Sequence, residues 1–196
     1  NLGVIFDSDV SLKKHISKVC QLSFMHIRQL WHVKHSLDKC SLILLANALV
    51  SSRLDYCNSL YYGLPDSTLK RLQYVQNSLA RVVTSSNRYD HITPVLRSLH
   101  WLSVRQRVTF KIATLTYKIL STNQPSYLSN LVKPKSDVRT LRSSGMHLLA
   151  IPARIKSENG RRSFSFAAPT VWNSLPFEAR SATSLLVFRR QVKTHL

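Results

Sequence analysis

Four glycines in 196 residues leave this chain no loop able to cradle a nucleotide phosphate. Neither G-x-x-x-x-G-K nor G-x-G-x-x-G occurs, and there is no G-x-S-x-G elbow to present a nucleophilic serine. Acids are scarce too, nine in all. Most fall at predicted caps or turns, Asp7, Asp9, Asp38, Asp66 and Asp90 among them, so the carboxylate cluster that metal-dependent phosphoryl transfer requires is missing. The closest pair, Asp7-x-Asp9, reads as two turn carboxylates that end an extended run and start a helix. Three cysteines, Cys20, Cys40 and Cys57, form an odd set without C-x-x-C spacing, which predicts free, mostly buried thiols and a reducing compartment, cytosol or nucleus. His32 and His35 do not complete a zinc site with them, because paired ligand spacings are absent. The longest apolar stretch, Leu42 to Val50, is broken by Asn47 and is far shorter than the ~20 residues that span a bilayer. No membrane segment, signal peptide, metal, cofactor or small-molecule substrate is expected.

What the chain has in quantity is positive charge. Twenty-eight Lys and Arg give a formal charge of +19. Residues 1–85 hold ten basic and five acidic side chains, and residues 86–196 hold eighteen and four, so the second half carries +14 of the excess. With 44% apolar residues the chain can nevertheless bury a sizeable core, unlike a disordered basic tail. A folded protein with this imbalance points to a polyanionic partner.

Periodicity predicts a mainly α fold. The opening run Leu2-Gly3-Val4-Ile5-Phe6 is β-prone, but a lone strand is unstable in water, so its partner is expected either much later in the chain or upstream of residue 1; as the remainder reads as helical, the chain is expected to be the C-terminal piece of something longer. Ser11 is placed to cap a helix reaching about His35, with Ile16, Val19, Cys20, Ser23, Ile27, Leu30 and Trp31 on one side. Asp38 caps a second helix whose all-round apolar run, Leu42 to Val50, marks it as the central core helix. A turn at Ser51-Ser52 leads to a shorter helix through Leu54 and Tyr61. Gly63-Leu64-Pro65 breaks the pattern, and Asp66 or Ser67 starts a helix to about Thr84. Lys70, Tyr74, Asn77 and Arg81 line its outer side. Thr93-Pro94 reads as N-cap and first helical residue.

A subdomain boundary is expected near residue 88, where the charge balance changes. From Ser103 a long helix should run to about Leu120, with Val104, Val108, Ile112, Leu115 and Ile119 as an apolar stripe. Arg107, Lys111, Thr114 and Lys118 form a basic stripe beside it. Between Asp90 and Asp137 seven Lys and Arg have no acidic residue in sequence to neutralise them. Residues 133–162 read as basic loop, holding Lys133, Lys135, Arg139, Arg142, Arg154, Lys156, Arg161 and Arg162, with one short strand from His147 to Ile151. An apolar-aromatic patch from Phe164 to Trp172 follows, then a last helix capped by Ser184. The candidate nucleic-acid-binding set is therefore Lys70, Arg81, Arg107, Lys111, Lys118 and those eight loop residues, suited to tracking phosphates of RNA or DNA, with occasional stacking by Tyr74. For any one such charge, solvating a helix face is the favoured reading, and it is the set as a whole that points to a polyanion.

Several strings go further. Leu2-Gly3-Val4-Ile5-Phe6-Asp7, Ser51-Ser52-Arg53-Leu54-Asp55-Tyr56-Cys57-Asn58-Ser59-Leu60, Tyr62-Gly63-Leu64-Pro65 and Val75-Gln76-Asn77-Ser78-Leu79-Ala80-Arg81 occur in that order. Ile92-Thr93-Pro94-Val95-Leu96-Arg97-Ser98-Leu99-His100-Trp101-Leu102, Thr140-Leu141-Arg142-Ser143-Ser144 and Ala168-Pro169-Thr170-Val171-Trp172-Asn173-Ser174-Leu175-Pro176 follow. The series resembles the C-terminal region of the reverse transcriptase of LINE-type, non-LTR retrotransposons, in the jockey and related vertebrate clades. The resemblance implies that residues 1–10 are the remnant of a hairpin strand, 11–87 a helical thumb-like bundle, and 88–196 a basic, mostly helical extension with one or two short strands. It implies that the partners are a template-primer or target duplex and the upstream polymerase palm. No aromatic-x-Asp-Asp motif and no endonuclease constellation is present, so the parent resembles an RNA-directed DNA polymerase and this chain is expected to do no chemistry itself. Two alternatives stand beside it: a free-standing basic nucleic-acid-binding module, and a non-functional or protein-interacting fragment.

Overall fold

Apolar side chains at helical spacing dominate the buried residues, and the chain is mainly helical. The computed structural model describes residues 3–135, 147–153 and 155–196. They divide into two compact units, Asn1–Arg107 and Val108–Leu196.

In the first unit, α1 (Lys13–Val33) turns Ile16, Val19, Cys20, Ser23, Ile27 and Leu30 inward. The predicted stripe is right except for Trp31, which is exposed and lies under the Lys34 ammonium. The helix begins later than Ser11. Its N-cap is Leu12, in the left-handed region, while Ser11 Oγ donates to Asp7 Oδ2 at 2.9 Å and the Ser11 amide donates to Asp9 Oδ1 at 3.2 Å. Both carboxylates thus hold the turn ahead of α1. Val4 to Phe6 is not a strand, because among the described residues no edge lies beside it to complete a ladder. Val4 is instead buried, and the Ile5 amide donates to His15 Nδ1 at 3.4 Å.

Asp38 caps α2 (Lys39–Ala46) by accepting from the Ser41 amide at 3.1 Å. No turn follows at Ser51-Ser52. The helix continues through one π-helical segment, Asn47–Ser51, into α3 (Ser52–Asp55). Nor is α2 the central core helix: Leu42, Ala46 and Val50 are buried one turn apart, but Leu44 is 68% exposed and Leu45 also faces outward. Burial follows neighbours, and only one side of α2 has them. The centre is the packing of α1 against α4 (Asp66–Thr84), where Leu72, Val75, Leu79 and Ala80 are fully enclosed. Tyr61, on a 3₁₀ turn at Asn58–Tyr61, fills the same core.

α5 (Ile92–Ser98) starts after His91, so Thr93 and Pro94 lie within its first turn, where a missing amide proton is harmless. It packs on α4, and the division of the chain falls not near residue 88 but inside α6 (Val104–Thr122). The reason is a set of long-range polar bonds. Gln76 Nε2 donates to the Leu102 carbonyl at 2.8 Å, and Gln73 Oε1 accepts from the Val104 amide at 2.8 Å. Ser103 and Gln106 close a capping box at the same helix start: the Ser103 amide donates to Gln106 Oε1 at 2.9 Å, and Ser103 Oγ accepts from the Gln106 amide at 3.4 Å.

The second unit is built around Phe188 of α11 (Leu185–His195), whose ring stacks on Tyr117 at 4.4 Å and on Trp172 at 5.8 Å between centroids. Val108, Ile112 and Ile119 of α6 are buried as predicted, whereas Leu115 is half-buried. The apolar-aromatic patch is α9 (Phe164–Ser174), which tolerates Pro169 near its middle and buries Ala167, Ala168, Val171 and Trp172. Three helical turns, α7 (Ser126–Ser129), α8 (Glu158–Arg161) and α10 (Phe177–Arg180), connect these elements. Ser184 caps α11 as expected, accepting from the Val187 amide at 3.3 Å. The strand predicted from His147 to Ile151 reduces to a single antiparallel bridge between Pro134 and Leu149. One residue pair, bracketed by Lys135 N to Leu148 O at 3.0 Å and Ala150 N to Lys133 O at 2.9 Å, is too short to make a ladder. Among the described residues no helix is long and apolar enough to cross a membrane.

Candidate nucleic-acid interface

A cation can grip a phosphate only if its head is in solvent and no carboxylate of the chain has claimed it. In the first unit Lys70 meets both conditions on the outer side of α4. One turn on, Tyr74 is 62% exposed and meets Phe24 at a tilt of 52° with ring centroids 5.8 Å apart, leaving ring surface for a base. Asn77 is half-buried and accepts from Gln73 Nε2 at 2.8 Å.

Arg81 and Arg107 are otherwise engaged. Arg81 Nε donates to the Asn87 carbonyl at 3.3 Å and Nη2 to the Asp90 carbonyl at 3.2 Å, so this side chain clamps the loop after α4. Arg107 is only 14% exposed; its Nη1 lies 2.8 Å from Asp55 Oδ2 and its Nε donates to the Leu102 carbonyl at 3.0 Å. The basic stripe of α6 therefore loses its first member to an internal ion pair. Asp55 stands 52 residues away in sequence, and nothing local signalled the pairing.

In the second unit Lys111 and Lys118 are exposed on α6, seven residues apart and hence on one side, about 10 Å along the axis. Lys133 and Lys135 flank Pro134 in extended chain, so both project to the side opposite the proline. Lys156 and Arg161 are exposed, the latter at the end of α8. Arg162 is half-buried, with Nη1 at 3.4 Å from Asn159 Oδ1. Arg139, Arg142 and Arg154 lie outside the described residues. Lys70, Lys111, Lys118, Lys133, Lys156 and Arg161 have no ion-pair partner among the described residues.

Sequence reasoning passed over Arg189, Arg190 and Lys193, which are exposed on α11 on the side away from Phe188 and Val192. The Arg189 guanidinium lies 5.7 Å from the Phe110 ring centre. The Arg-Arg-x-x-Lys spacing beside an apolar pair was the available signal.

The three thiols differ in their surroundings. Cys20 is buried, and burial pushes its pKa up despite the opposing charge of Arg71, which keeps it protonated and inert. Cys57 is half-buried and Cys40 exposed, so only Cys20 fits the expectation of buried cysteines; all three are free. Among the described residues no group of three or more His, Cys, Asp or Glu is placed to hold a metal ion. No protein-family model, curated protein or solved structure matches the chain.

Proposed function

We propose that this chain holds nucleic acid through backbone phosphates and performs no catalysis of its own, as the thumb and post-polymerase region of a non-LTR retrotransposon reverse transcriptase would. The observation that carries the reading is the set of exposed cations without carboxylate partners among the described residues: Lys70, Lys111, Lys118, Lys133, Lys156 and Arg161. The ordered strings that resemble that family support the source of the fragment, and Tyr74 supplies a stacking surface beside Lys70. Contacts of this kind position a duplex without reading its sequence. They slow its dissociation from the palm and so raise processivity. RNA and DNA backbones both fit, in the nucleus or the cytoplasm. A stand-alone module would bind through the same residues.

Fluorescence anisotropy of residues 1–196 with duplex DNA, an RNA–DNA hybrid and single-stranded RNA over a salt series tests the proposal. Affinity should fall linearly in log-log form, with a slope set by the number of phosphates neutralised. Absence of binding to all three at low salt would overturn it, as would nucleotide incorporation in a polymerase assay for the claim of no catalysis. One observation favours a second reading. Leu44 and Leu45 are exposed at adjacent positions of α2, as expected of a piece that docks on another protein surface such as the palm. Co-purification with a palm domain that is lost in Leu44→Glu, with nucleic-acid binding unchanged, would separate the two.

A further inference from the structure

Arg180 is the one described arginine that is both buried and without a partner. It closes α10 at 7% exposure, and its Nε and Nη1 are enclosed with no hydrogen-bond partner among the described residues. A guanidinium cannot respond to burial by losing its proton, as a lysine does, so an enclosed one requires an anion or a full set of acceptors. Neither is present among the described residues. Of the three acids in the second unit, Glu158 and Glu178 are exposed and make no ion pair with it, and Asp137 lies outside the described residues.

Arg180 lines a pocket of about 300 Å³ with Tyr117, Pro134, Leu149 and Trp172. Two of the wall's other donors are already committed, and His147, whose ring stacks on Phe177, lines it as well. Trp172 Nε1 donates to the His147 carbonyl at 2.7 Å, and Tyr117 Oη donates to the Ala182 carbonyl at 3.0 Å. The wall thus holds a full positive charge that no carboxylate among the described residues neutralises, set among apolar and aromatic side chains that strengthen its field. At about 30 Å³ per water, the volume corresponds to roughly ten waters, room for one phosphate-sized group with part of its hydration and too little for a strand of nucleic acid.

We propose that this pocket is a binding site for a small oxyanion of the phosphate or carboxylate class, with Arg180 as the residue that holds it. The site is separate from the exposed lysines of the proposed nucleic-acid surface and does not depend on that reading. The oxyanion comes from solution, and the experiment separates that case from neutralisation of Arg180 by the chain's own Asp137.

The probe is inorganic phosphate, titrated at constant ionic strength against chloride into residues 1–196, read by thermal midpoint and by tryptophan emission, Trp172 being part of the wall. A saturable rise in the wild-type midpoint with a matching emission change, absent in Arg180→Met and retained in Asp137→Asn, is the expected result. Arg180→Lys preserves a charge at the position if the methionine variant does not fold. It should bind phosphate at least about tenfold more weakly, because an ammonium lacks the guanidinium's fixed array of donors. Equal responses in wild type, Arg180→Met and Arg180→Lys would assign the effect to surface lysines and overturn the site. No wild-type response, with Arg180→Met and Asp137→Asn destabilised alike, would show that the pocket is filled by the chain itself, and would overturn it equally.

Discussion

Tyr61 Oη lies 3.2 Å from His15 Nε2 in the core of the first unit, joining the 3₁₀ turn after α3 to the first turns of α1. The other ring nitrogen, Nδ1, accepts from the Ile5 amide at 3.4 Å. An imidazole that accepts at Nδ1 must carry its proton on Nε2, so His15 donates to Tyr61 and is neutral in the folded chain. One side chain thereby anchors the extended N-terminal residues to the helical core. It makes folding sensitive to pH on the acid side, and its partner does so on the alkaline side.

Burial lowers the His15 pKa from its ordinary 6.5, against an opposing pull from the Asp7 carboxylate. The unfolded chain then binds the proton more readily than the folded one, so stability rises with pH in this window. The contribution is complete above the unfolded value and is lost as pH falls below about 6.5 towards the lower folded value. Urea midpoints at about pH 8 and about pH 5 should differ more for the wild type than for His15→Asn, which keeps an acceptor near Nδ1 but does not titrate. Equal acid losses in the two proteins would show that His15 is not the responsible group.

Tyr61 supplies the alkaline limit. Burial, aided by the nearby thiols of Cys57 and Cys20, pushes its pKa up from 10 to about 12. The phenol is favoured in the folded state, so its contribution is intact below the ordinary value and disappears as pH rises from about 10 to about 12. Tyr61→Phe should flatten that loss. At neutral pH it should cost about 1 kcal/mol, from the His15 proton left without an acceptor. Denaturant titrations across both windows measure the two effects.

Gln73, Gln76, the Leu102 carbonyl, Arg107 and Asp55 form one hydrogen-bonded chain linking α3, α4 and the start of α6. Gln76 is enclosed, and Gln76→Leu should destabilise by about 1–2 kcal/mol as it withdraws a donor from Leu102 and an acceptor from Gln73. Gln73→Leu strips the Val104 amide of its acceptor and should cost a similar amount. Because both act through one network, the double variant should lose less than the sum, by about 0.5–1 kcal/mol in a double-mutant cycle. Strict additivity would show the bonds to be independent.

That network also explains where the sequence was legible and where it was not. The caps at Asp38 and Ser184 were readable because capping is a local exchange between a side chain and an amide three residues on. Periodicity identified α1, α4 and α6 for the same local reason. The apolar run of α2 suggested a central position, but burial is decided by neighbours, and Leu44 has none to cover it. The change in charge near residue 88 describes solvent-facing residues, whereas the units are separated by packing, and Gln73 and Gln76 tie residues 102 and 104 to α4. α9 was missed as a helix because Pro169 and its aromatic residues have low helix propensity that tertiary packing overrides. In the candidate site, Lys111 and Lys118 follow from helix geometry, the withdrawal of Arg107 depends on a distant aspartate, and Arg180 belongs to no stripe at all.

The basic stripe of α6 therefore divides into residues that hold the fold and residues free to hold a ligand, and substitution should separate them. Lys111→Ala and Lys118→Ala remove exposed charges without carboxylate partners among the described residues, so thermal stability should stay within about 0.5 kcal/mol. Each that contacts a phosphate should lower the log-log salt slope of duplex binding by about 0.9. Arg107→Met should do the reverse. It removes the ion-pair partner of Asp55 and one of the two donors on the Leu102 carbonyl, which keeps Gln76 Nε2, costing about 1–2 kcal/mol, a figure held down by Asp55 being 46% exposed. The salt slope should not change. Anisotropy titrations and urea melts on the three variants test both halves. If Arg107→Met reduced the slope while the lysine variants left it intact, the phosphate-contacting role would pass from the exposed lysines to the arginine, and the assignment of this side of α6 would be reversed.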